Sequence, residues 1–509
     1  MRQDLPFMSR TAWLSSSILL LCAAGLLLGL NGCGGKSTTS ITIPPPVGKI
    51  QHVVIIFQEN RTPDNLFQGL CLPLYGKSSS CSTNPTGSQY DISSSGVNSQ
   101  QQTIPLSQID LGTAGANPDD YDLSHAHSAF VDMCDLNAST GACAMDGADL
   151  VGVSCSKGAS GCPPANPQFM YVNPADVQPY LTLAEQYSFA DHMFQTNEGP
   201  SFPAHQFIIS GTSAPTATSS LFASENPDGT NGVAGCIAPP GATVAVIDSS
   251  GDESSNPPIY PCFEHATLTD LLDKATISWR YYAPSAGSIW TAPDAIQHMC
   301  GPNATPPNAT ACVGADWTGT SPKVVLNQTQ ANAQILTDIA ANQLQQVSWV
   351  IPAAKFSDHA ASNNGCGPSW VTQVVNGIGN SPYWSNTVII LTWDDWGGWY
   401  DHVPPAVISN GSSWGAGYVY GFRVPMVVIS PYAKPAYISH GTHDFGSILK
   451  FIETTFSLPS LGYADAPADD LSDIFNFTQT PTAFQTIPPP ADSAACIADT
   501  GPPGDPDDD

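Results

Sequence analysis

Four continuous apolar runs, at residues 52–57, 347–351, 387–393 and 424–430, alternate along the chain with helical patterns. Unbroken hydrophobicity over this length predicts parallel strands that are covered on both faces. Apolar residues at helical spacing predict helices at 177–187, 331–344, 369–378 and 445–456. The alternation predicts an α/β sandwich with a central, mostly parallel sheet between helices.

Two long stretches, 68–165 and 212–262, have no periodicity and predict elaborate surface loops. Apart from Cys22 and Cys33 near the N-terminus, an even number of cysteines remains, and none forms a CxxC motif. We therefore expect loop-stapling disulfides rather than a zinc site, which indicates a compartment outside the cytoplasm. Short-range pairs are Cys71 with Cys81, Cys134 with Cys143, Cys155 with Cys162 and Cys300 with Cys312, whereas the partners of Cys236, Cys262, Cys366 and Cys496 stay open.

The N-terminus is typical of an exported bacterial protein. Two arginines precede an apolar run at 13–30, and the Leu-Asn-Gly-Cys sequence that ends at Cys33 resembles a lipoprotein signal with Cys33 as the acylated residue. Simple secretion and a retained membrane anchor are the alternatives. We interpret 1–33 as the signal, 34–48 as a tether, 49–478 as the catalytic domain and 479–509 as a Pro-rich acidic tail, mostly disordered apart from Cys496. All readings place the domain in the cell envelope or periplasm, or outside the cell.

Charge limits the possible partners. The formal net charge of −29 argues against nucleic acid held by bulk attraction. An anionic substrate needs a local cluster of metal and histidine within this negative field.

Two of the predicted strands run directly into carboxylates. Glu59 and Asn60 follow the first run, and Asp394 and Asp395 follow the third. Because ligands of α/β sheets bind outside the carboxyl ends of the strands, these oxygens predict one divalent cation such as Mg, Mn or Ca. The alternative is that the acids cap helices or pair with arginine, but the chain has only 14 lysines and arginines in total.

Three ordered blocks carry a family resemblance: HVVIIFQENRTPDNLF, TWDDWGGWYDHVPP, and GFRVPMVVISP followed by HDF and SILKFIE. They resemble the bacterial phosphoesterase family of phospholipases C and acid phosphatases, within the alkaline phosphatase superfamily. The resemblance implies an alkaline-phosphatase-like sandwich and hydrolysis of phosphate esters. Thr62 and Pro63 depart from the usual form of the first block.

The resemblance also implies roles for individual residues. Glu59, Asn60, Asp394 and Asp395 match metal ligands, with Asn60 also contacting phosphate. Ser201, in GPSFPAHQFIISG, matches the nucleophile and would contact the metal, which would favour its alkoxide. The alternative for Ser201 is a helix N-cap, and the two roles are compatible. At a helix N-terminus it would also present backbone N–H groups to phosphate.

Histidines would complete the site by binding phosphate oxygens and protonating the leaving group. The resemblance assigns this to His125, His298 and His359, with His127 competing with His125. We expect His205 only to orient the nucleophile loop, and Asp401 and His402 to be structural. The tryptophans of the second block are expected to form core and pocket wall, and Gly397-Gly398 a tight turn beside the metal.

The predicted function is metal-assisted hydrolysis of phosphate esters through a phosphoseryl intermediate. Phospholipase C relatives often carry extra C-terminal domains, which favours an acid-phosphatase-like activity for this chain. Two alternatives stay open: a phospholipase C acting on lipid head groups, for which a membrane anchor would be suited, and a surface lipoprotein that binds phosphorylated ligands without turnover.

Overall fold

A computed structural model describes residues 48–111, 121–137, 142–155, 161–326, 333–360, 365–406, 419–491 and 493–499. The predicted signal segment, Cys33 and the tether up to residue 47 lie outside the described residues. The described chain is organised around an eight-stranded sheet. Its strands, in chain order, are β1 His52–Gln58, β2 Ser188–Ala190, β3 Trp279–Ala283, β4 Val324–Leu326, β5 Val347–Val350, β6 Thr387–Trp393, β7 Met426–Ile429 and β8 Tyr437–Ser439.

The strand order across this sheet is β4-β3-β5-β1-β6-β7-β2-β8. Neighbouring strands pair in parallel except β7, which is antiparallel to β6 and β2. Every residue of β5 and β6 is buried, as is every residue of β1 after His52. Both faces of the central strands are therefore covered, and the prediction of an α/β fold with a mostly parallel sheet is confirmed.

The strand bounds differ most from prediction at the last apolar run. The expected strand at 424–430 narrows to β7, Met426–Ile429. Pro425 has no N–H to donate to a sheet, so regular pairing begins after it. Val424 still donates its N–H to Met193 O at 3.0 Å.

In the described residues, the α-helices of six or more residues are α1 His127–Cys134, α2 Gln178–Gln186, α3 Ser201–Ser210, α4 Leu268–Lys274, α5 Gln334–Ala340, α6 Gly367–Gly379, α7 Phe445–Phe456 and α8 Ser493–Ala498. The predicted helix 445–456 is confirmed at both ends, and Asp444 and Ser447 form a capping box at its start. The expected helix at 331–344 is shorter, and residues 331 and 332 lie outside the described part. None of the described helices is long and apolar enough to cross a membrane.

Short elements and disulfides organise the loops. The six disulfides include the four expected short-range pairs, and the remaining cysteines pair as Cys236–Cys262 and Cys366–Cys496. The short helices are Pro63–Leu66, Gln297–Cys300 and Ala315–Thr318. The short strands are Ser95–Val97, Thr103–Pro105, Ser107–Ile109, Tyr121–Leu123, Val153–Cys155, Met170–Val172, Phe222–Ala223, Val244–Ile247 and Glu253–Ile259.

The Pro-rich segment from residue 479 packs against the domain. Ile487 is fully buried, and its backbone N–H and C=O both bond to the side-chain amide of Asn376 at 2.9 Å. Trp384 Nε1 donates to Thr482 O at 2.8 Å. The Cys366–Cys496 disulfide ties α8 to the residue that precedes α6. The expected disorder is therefore wrong for the described residues of this segment, because these contacts hold a backbone that composition alone leaves free.

Candidate active site

The carboxyl ends of three adjacent parallel strands supply most of the predicted site. Glu59 and Asn60 follow β1, Asp394 and Asp395 follow β6, and His359 lies in the loop after β5. Helix α3 adds Ser201 as its first residue. All six side chains are buried, so their polar atoms need partners within the protein or a bound ligand.

A candidate cation site lies among Glu59, His205 and Asp394, each of which offers an atom within 4.8 Å of the others. His205 Nε2 is 3.3 Å from Glu59 Oε1 and 3.8 Å from Asp394 Oδ2. His205 was expected only to orient the nucleophile loop. The sequence signal for it is its spacing of four from Ser201, which puts both side chains on one face of α3.

The donor set fits a divalent cation. Within the described chain, Glu59 Oε2, Asp394 Oδ2 and His205 Nδ1 are buried without a hydrogen-bond partner. No described lysine or arginine pairs with Glu59, Asp394 or Asp395. The nearby Arg61 donates instead to Asp358 O at 2.8 Å and Asn65 Oδ1 at 3.2 Å. The arginine-bridge alternative therefore does not account for these acids.

The electrostatics of the cluster agree with that fit. Burial and the charge of Asp394 raise the pKa of Glu59 well above its usual range, and the same two causes raise the pKa of Asp395. Burial alone would raise the pKa of Asp394, but hydrogen bonds with Glu59 and with the backbone N–H of Asn60 lower it. Burial lowers the pKa of His205 to about 4, so its ring is neutral and able to ligate. The carboxylates thus need protons or a cation to coexist.

Ser201 lies beside the carboxylate cluster. Its hydroxyl donates to Asp395 Oδ2 at 3.3 Å. Pro200, not Ser201, occupies the N-cap position of α3. The start of this helix offers few N–H groups to phosphate, because Phe202 N–H donates to Asn226 Oδ1 at 3.0 Å and Pro203 has none. The hydroxyl itself is the group that this helix brings to the cluster.

Asn60 links the cation site to His125. Its backbone N–H donates to Asp394 Oδ1 at 2.9 Å, and its side-chain amide lies 3.0 Å from His125 Nε2. His125 Nδ1 faces Leu123 O at 2.9 Å, so Nδ1 carries the proton and Nε2 accepts from Asn60 in the neutral ring. Asn60 has φ +60°, a left-handed conformation of the kind that clusters at functional sites.

The Gly397-Gly398 turn is as tight as expected. Gly397 has φ +63°, and a Cβ there would lie 2.5 Å from Asn60 O. Its N–H donates to Asp395 Oδ1 at 2.7 Å. The lack of a side chain at 397 therefore lets the turn after β6 approach the residue that follows β1.

His359 lies on the side of the cluster towards His125, with ring centroids 5.6 Å apart. Its Nδ1 faces Ala360 O at 2.7 Å. The preceding residue, Asp358, anchors the loop, because its Oδ2 accepts from Tyr180 Oη at 2.9 Å and Trp393 Nε1 at 3.0 Å. The structure thus brings His125 and His359 together, as the resemblance implied.

His298 is not brought to this group. Its Nδ1 lies 3.0 Å from Glu264 Oε1 and its Nε2 3.4 Å from Asp270 Oδ1, and the side chain is partly exposed. Burial lowers the pKa of His298, but hydrogen bonds and charge from Asp270 and Glu264 together raise it. We correct its assignment, since its Nδ1 pairs with Glu264 and its Nε2 lies beside Asp270, both of which are outside the cluster.

The other histidines of interest have structural partners. His127 Nδ1 faces Glu198 O at 3.0 Å, whereas His125 contacts Asn60, so the competition between them favours His125. His402 Nδ1 and Nε2 lie 2.8 Å from Asp64 and 3.0 Å from Asp91.

Although burial lowers it, Asp64 and Asp91 raise the pKa of His402 to about 10. Asp401 accepts two hydrogen bonds from the buried Arg423, at 2.8 and 2.9 Å. These contacts agree with the structural role expected for Asp401 and His402. The guanidinium of Arg423 supplies the positive charge here, so this acidic group needs no metal ion.

Comparison with known proteins places the chain. The phosphoesterase family model matches residues 50–459, a span that contains the whole site. The chain belongs to this family. Among curated proteins, the non-hemolytic phospholipase C of Pseudomonas aeruginosa is 26% identical over 283 residues, which cover 49% of this chain and 39% of that protein. Phospholipase C B of Mycobacterium tuberculosis is 32% identical over 165 residues, covering 28% of this chain and 32% of that protein.

The matched regions thus span less than half the length of these relatives. A crystal structure of an alkaline phosphatase superfamily protein from Vibrio parahaemolyticus aligns with a TM-score of 0.31 at 11% identity, covering 58% of this chain and 64% of that one. We draw no conclusion from an alignment with a TM-score this low. The family assignment of this phosphoesterase rests on the sequence match.

Proposed function

We propose that this phosphoesterase hydrolyses phosphate esters with Ser201 as the nucleophile. The observation that carries the proposal is the position of the Ser201 hydroxyl, 3.3 Å from Asp395 Oδ2 and on the same helix face as His205 of the candidate cation site. A pure binding protein has no need of a buried hydroxyl between carboxylates. Membership of the phosphoesterase family supports the same reaction class.

A divalent cation would be held by Glu59, His205 and Asp394, with Asp395 and Asn60 beside it. When bound, it would supply positive charge that stabilises the phosphoryl oxygens and favours ionised Ser201. The neutral imidazole in the donor set admits Mn, Fe, Co or Zn as well as the oxygen-preferring ions expected from the carboxylates alone. Metal analysis of protein purified without chelator would identify the ion.

In the proposed reaction, the Ser201 hydroxyl gives its proton to Asp395, to which it donates a hydrogen bond, and Ser201 Oγ forms a bond to phosphorus while the bond from phosphorus to the leaving alcohol breaks. His125 and His359 lie beside the phosphoryl group, and His359 in its protonated form donates to the leaving oxygen, because both ring nitrogens of His125 already pair with Leu123 O and Asn60. Water then cleaves the phosphoseryl group and regenerates Ser201. Asn60 fixes His125 through its side-chain amide and contacts the phosphoryl group.

We place the protein outside the cytoplasm, because six disulfides form readily only in oxidising compartments. The finer proposal is a lipoprotein anchored through acylated Cys33. Mass spectrometry of the mature N-terminus tests it. A diacylglyceryl group on Cys33 supports the anchor, whereas a free N-terminus at another residue supports simple secretion.

The first substrate candidate is a phosphomonoester, and the second is a phospholipid head group, which the names of the curated relatives favour. Assays with p-nitrophenyl phosphate and p-nitrophenyl phosphorylcholine separate them. Turnover of the first alone supports a phosphatase, turnover of the second alone a phospholipase C type, and turnover of neither a binding protein. Ser201→Ala must abolish the activity. Ser210→Ala, a buried serine on the same helix whose Oγ has no partner in the described residues, is the matched control and must retain it.

A further inference from the structure

The loop after β3 contributes a residue to the active site, but this residue is not the predicted His298. β3 lies beside β5 in the parallel part of the sheet, so its carboxyl end points to the edge that carries Glu59 and His359. His298 was expected to come from this part of the chain, but Glu264 and Asp270 hold it elsewhere. The residue that this loop brings to the site histidines is Trp290.

Trp290 is fully buried against two of these histidines. Its ring stacks on His205, with centroids 6.5 Å apart and planes at 15°, and lies 5.9 Å from the ring of His359. His205 belongs to the candidate cation site, and His359 to the proposed phosphate-binding side. The indole therefore lies along the boundary between the two halves of the site.

The backbone around Trp290 is held in place. Its carbonyl accepts from Tyr281 Oη at 3.0 Å, and its N–H donates to Ser288 Oγ at 3.2 Å. Asp294 Oδ2 accepts from Gly287 N–H at 2.7 Å, which closes the loop in front of Trp290. A backbone fixed in this way, together with the burial of the indole, limits the ordering that Trp290 needs before it can present a hydrogen-bond donor.

The indole Nε1–H of Trp290 is buried and has no hydrogen-bond partner in the described residues. An indole nitrogen can only donate, and a buried donor without an acceptor is costly. Other buried tryptophans share this feature, among them Trp370 and Trp396. Of the described site histidines, Trp396 contacts only His125, with ring centroids 6.3 Å apart, whereas Trp290 contacts both His205 and His359.

We propose that Trp290 is a substrate-binding residue whose Nε1–H donates a hydrogen bond to a phosphoryl oxygen. This inference rests on the proposed function and adds a neutral donor to it. Unlike a histidine, an indole does not titrate in the working range, so its contribution is the same at every pH. In this proposal Trp290 makes the contact with a phosphate oxygen that the resemblance implied for His298.

The test is Trp290→Phe, which keeps an aromatic ring and removes the N–H. Calorimetry would measure binding of inorganic phosphate, and elemental analysis the metal content. We expect phosphate affinity to fall about 10-fold to 100-fold, the range for a hydrogen bond to a charged group. We expect kcat/KM for p-nitrophenyl phosphate to fall by a similar factor at every pH, with metal content unchanged.

Trp370→Phe is the matched control, because Trp370 is also buried with an Nε1 that has no partner in the described residues, but lies on α6. It should leave phosphate affinity unchanged. Equal phosphate affinity in Trp290→Phe and wild type would overturn the proposal, as would equal losses in both variants. If Trp290→Phe does not fold, benzothienylalanine at position 290 removes the N–H while keeping the two-ring shape, and the same outcomes apply.

Phosphate binding also separates this inference from the proposed function. A wild-type protein that binds phosphate but turns over no ester contradicts the hydrolase proposal, while loss of that binding in the Trp290 variant still supports the donor. A wild-type protein that hydrolyses ester with undiminished rate and phosphate affinity in the variant contradicts the donor alone. Absence of phosphate binding by wild-type protein contradicts the donor directly.

Discussion

Substitution of Gly397 by alanine perturbs the site without replacing any proposed ligand. Gly397 has φ +63°, and a Cβ added to it would lie 2.5 Å from Asn60 O and 2.8 Å from Asn60 Cβ. Contacts below about 3 Å are not tolerated, and the nearest atom is a backbone oxygen that cannot rotate away. Either the turn after β6 or the residue after β1 must therefore move by roughly half an ångström to an ångström.

Two costs add in this variant. The left-handed backbone costs a residue with a Cβ about 1–2 kcal/mol, and the forced displacement adds about 1–3 kcal/mol. Asn60 bonds to both Asp394 and His125, so the displacement reaches the cation site and the phosphate side together. A misplacement of this size lowers catalytic rates by about 100-fold.

The matched control is Gly462→Ala. Gly462 has φ +88° with no atom within 4 Å of a Cβ, so it carries the backbone cost alone. Urea denaturation with disulfides intact, followed by tryptophan fluorescence, should show a loss of about 1–2 kcal/mol for Gly462→Ala with full activity. The loss for Gly397→Ala should be larger, with kcat/KM reduced about 100-fold. Equal losses in the two variants, or full activity of Gly397→Ala, would show that the close approach of Gly397 to Asn60 does not position the site.

Three further predictions concern metal, covalent bonds and pH. His205→Ala should lower the metal content of the protein about tenfold or more. His265 is also buried and also has a pKa of about 4, and His265→Ala should leave the metal content unchanged. Equal metal content in the two variants contradicts the cation site. Replacing Cys366 and Cys496 by serine should lower the free energy of unfolding by about 2–5 kcal/mol in urea denaturation, because their bridge spans 130 residues; an unchanged midpoint refutes this. The raised pKa of His402, about 10, contributes stability that is complete below pH 6.5 and is lost as pH rises from 6.5 through 10. The free energy of unfolding should fall by about 5 kcal/mol over that window, and His402→Gln should flatten the dependence.

Periodicity predicted the elements whose burial is uniform along a strand or one-sided on a helix. The run at 387–393 and the helix at 445–456 are confirmed at both ends, because continuous burial and a capping box leave direct traces in the sequence. Helix α3 left no such trace. All ten of its residues are buried, so it has no polar face to set a period.

The site was predictable where strand ends determine it. Glu59 and Asp394 come together because β1 and β6 are parallel neighbours. The continuous apolar runs predict parallel strands with their carboxyl ends at one edge of the sheet, although not the order of the strands. His205 and His298 show the limit of the approach. His205 depends on the position of α3 over the sheet, and His298 follows the expected strand but is held by two carboxylates that local sequence does not connect to it.

The order of the Pro-rich segment from residue 479 was also not predictable from local sequence. Its composition is that of a disordered tail, because it offers few apolar side chains to bury. One of them, Ile487, is buried beside Asn376. The disulfide at Cys496 removes much of the entropy cost of ordering this segment. Composition alone does not predict contacts between residues so far apart in the sequence.

Ser201 is proposed to carry the phosphoryl group during turnover. Rapid acid quench of the wild-type enzyme with a phosphate ester that it hydrolyses, followed by peptide mass spectrometry, tests this directly. We expect one added phosphate in the peptide that contains Ser201, absent from Ser201→Ala and present in Ser210→Ala. Steady turnover with no phosphorylated peptide, or with phosphate on another residue, would contradict it.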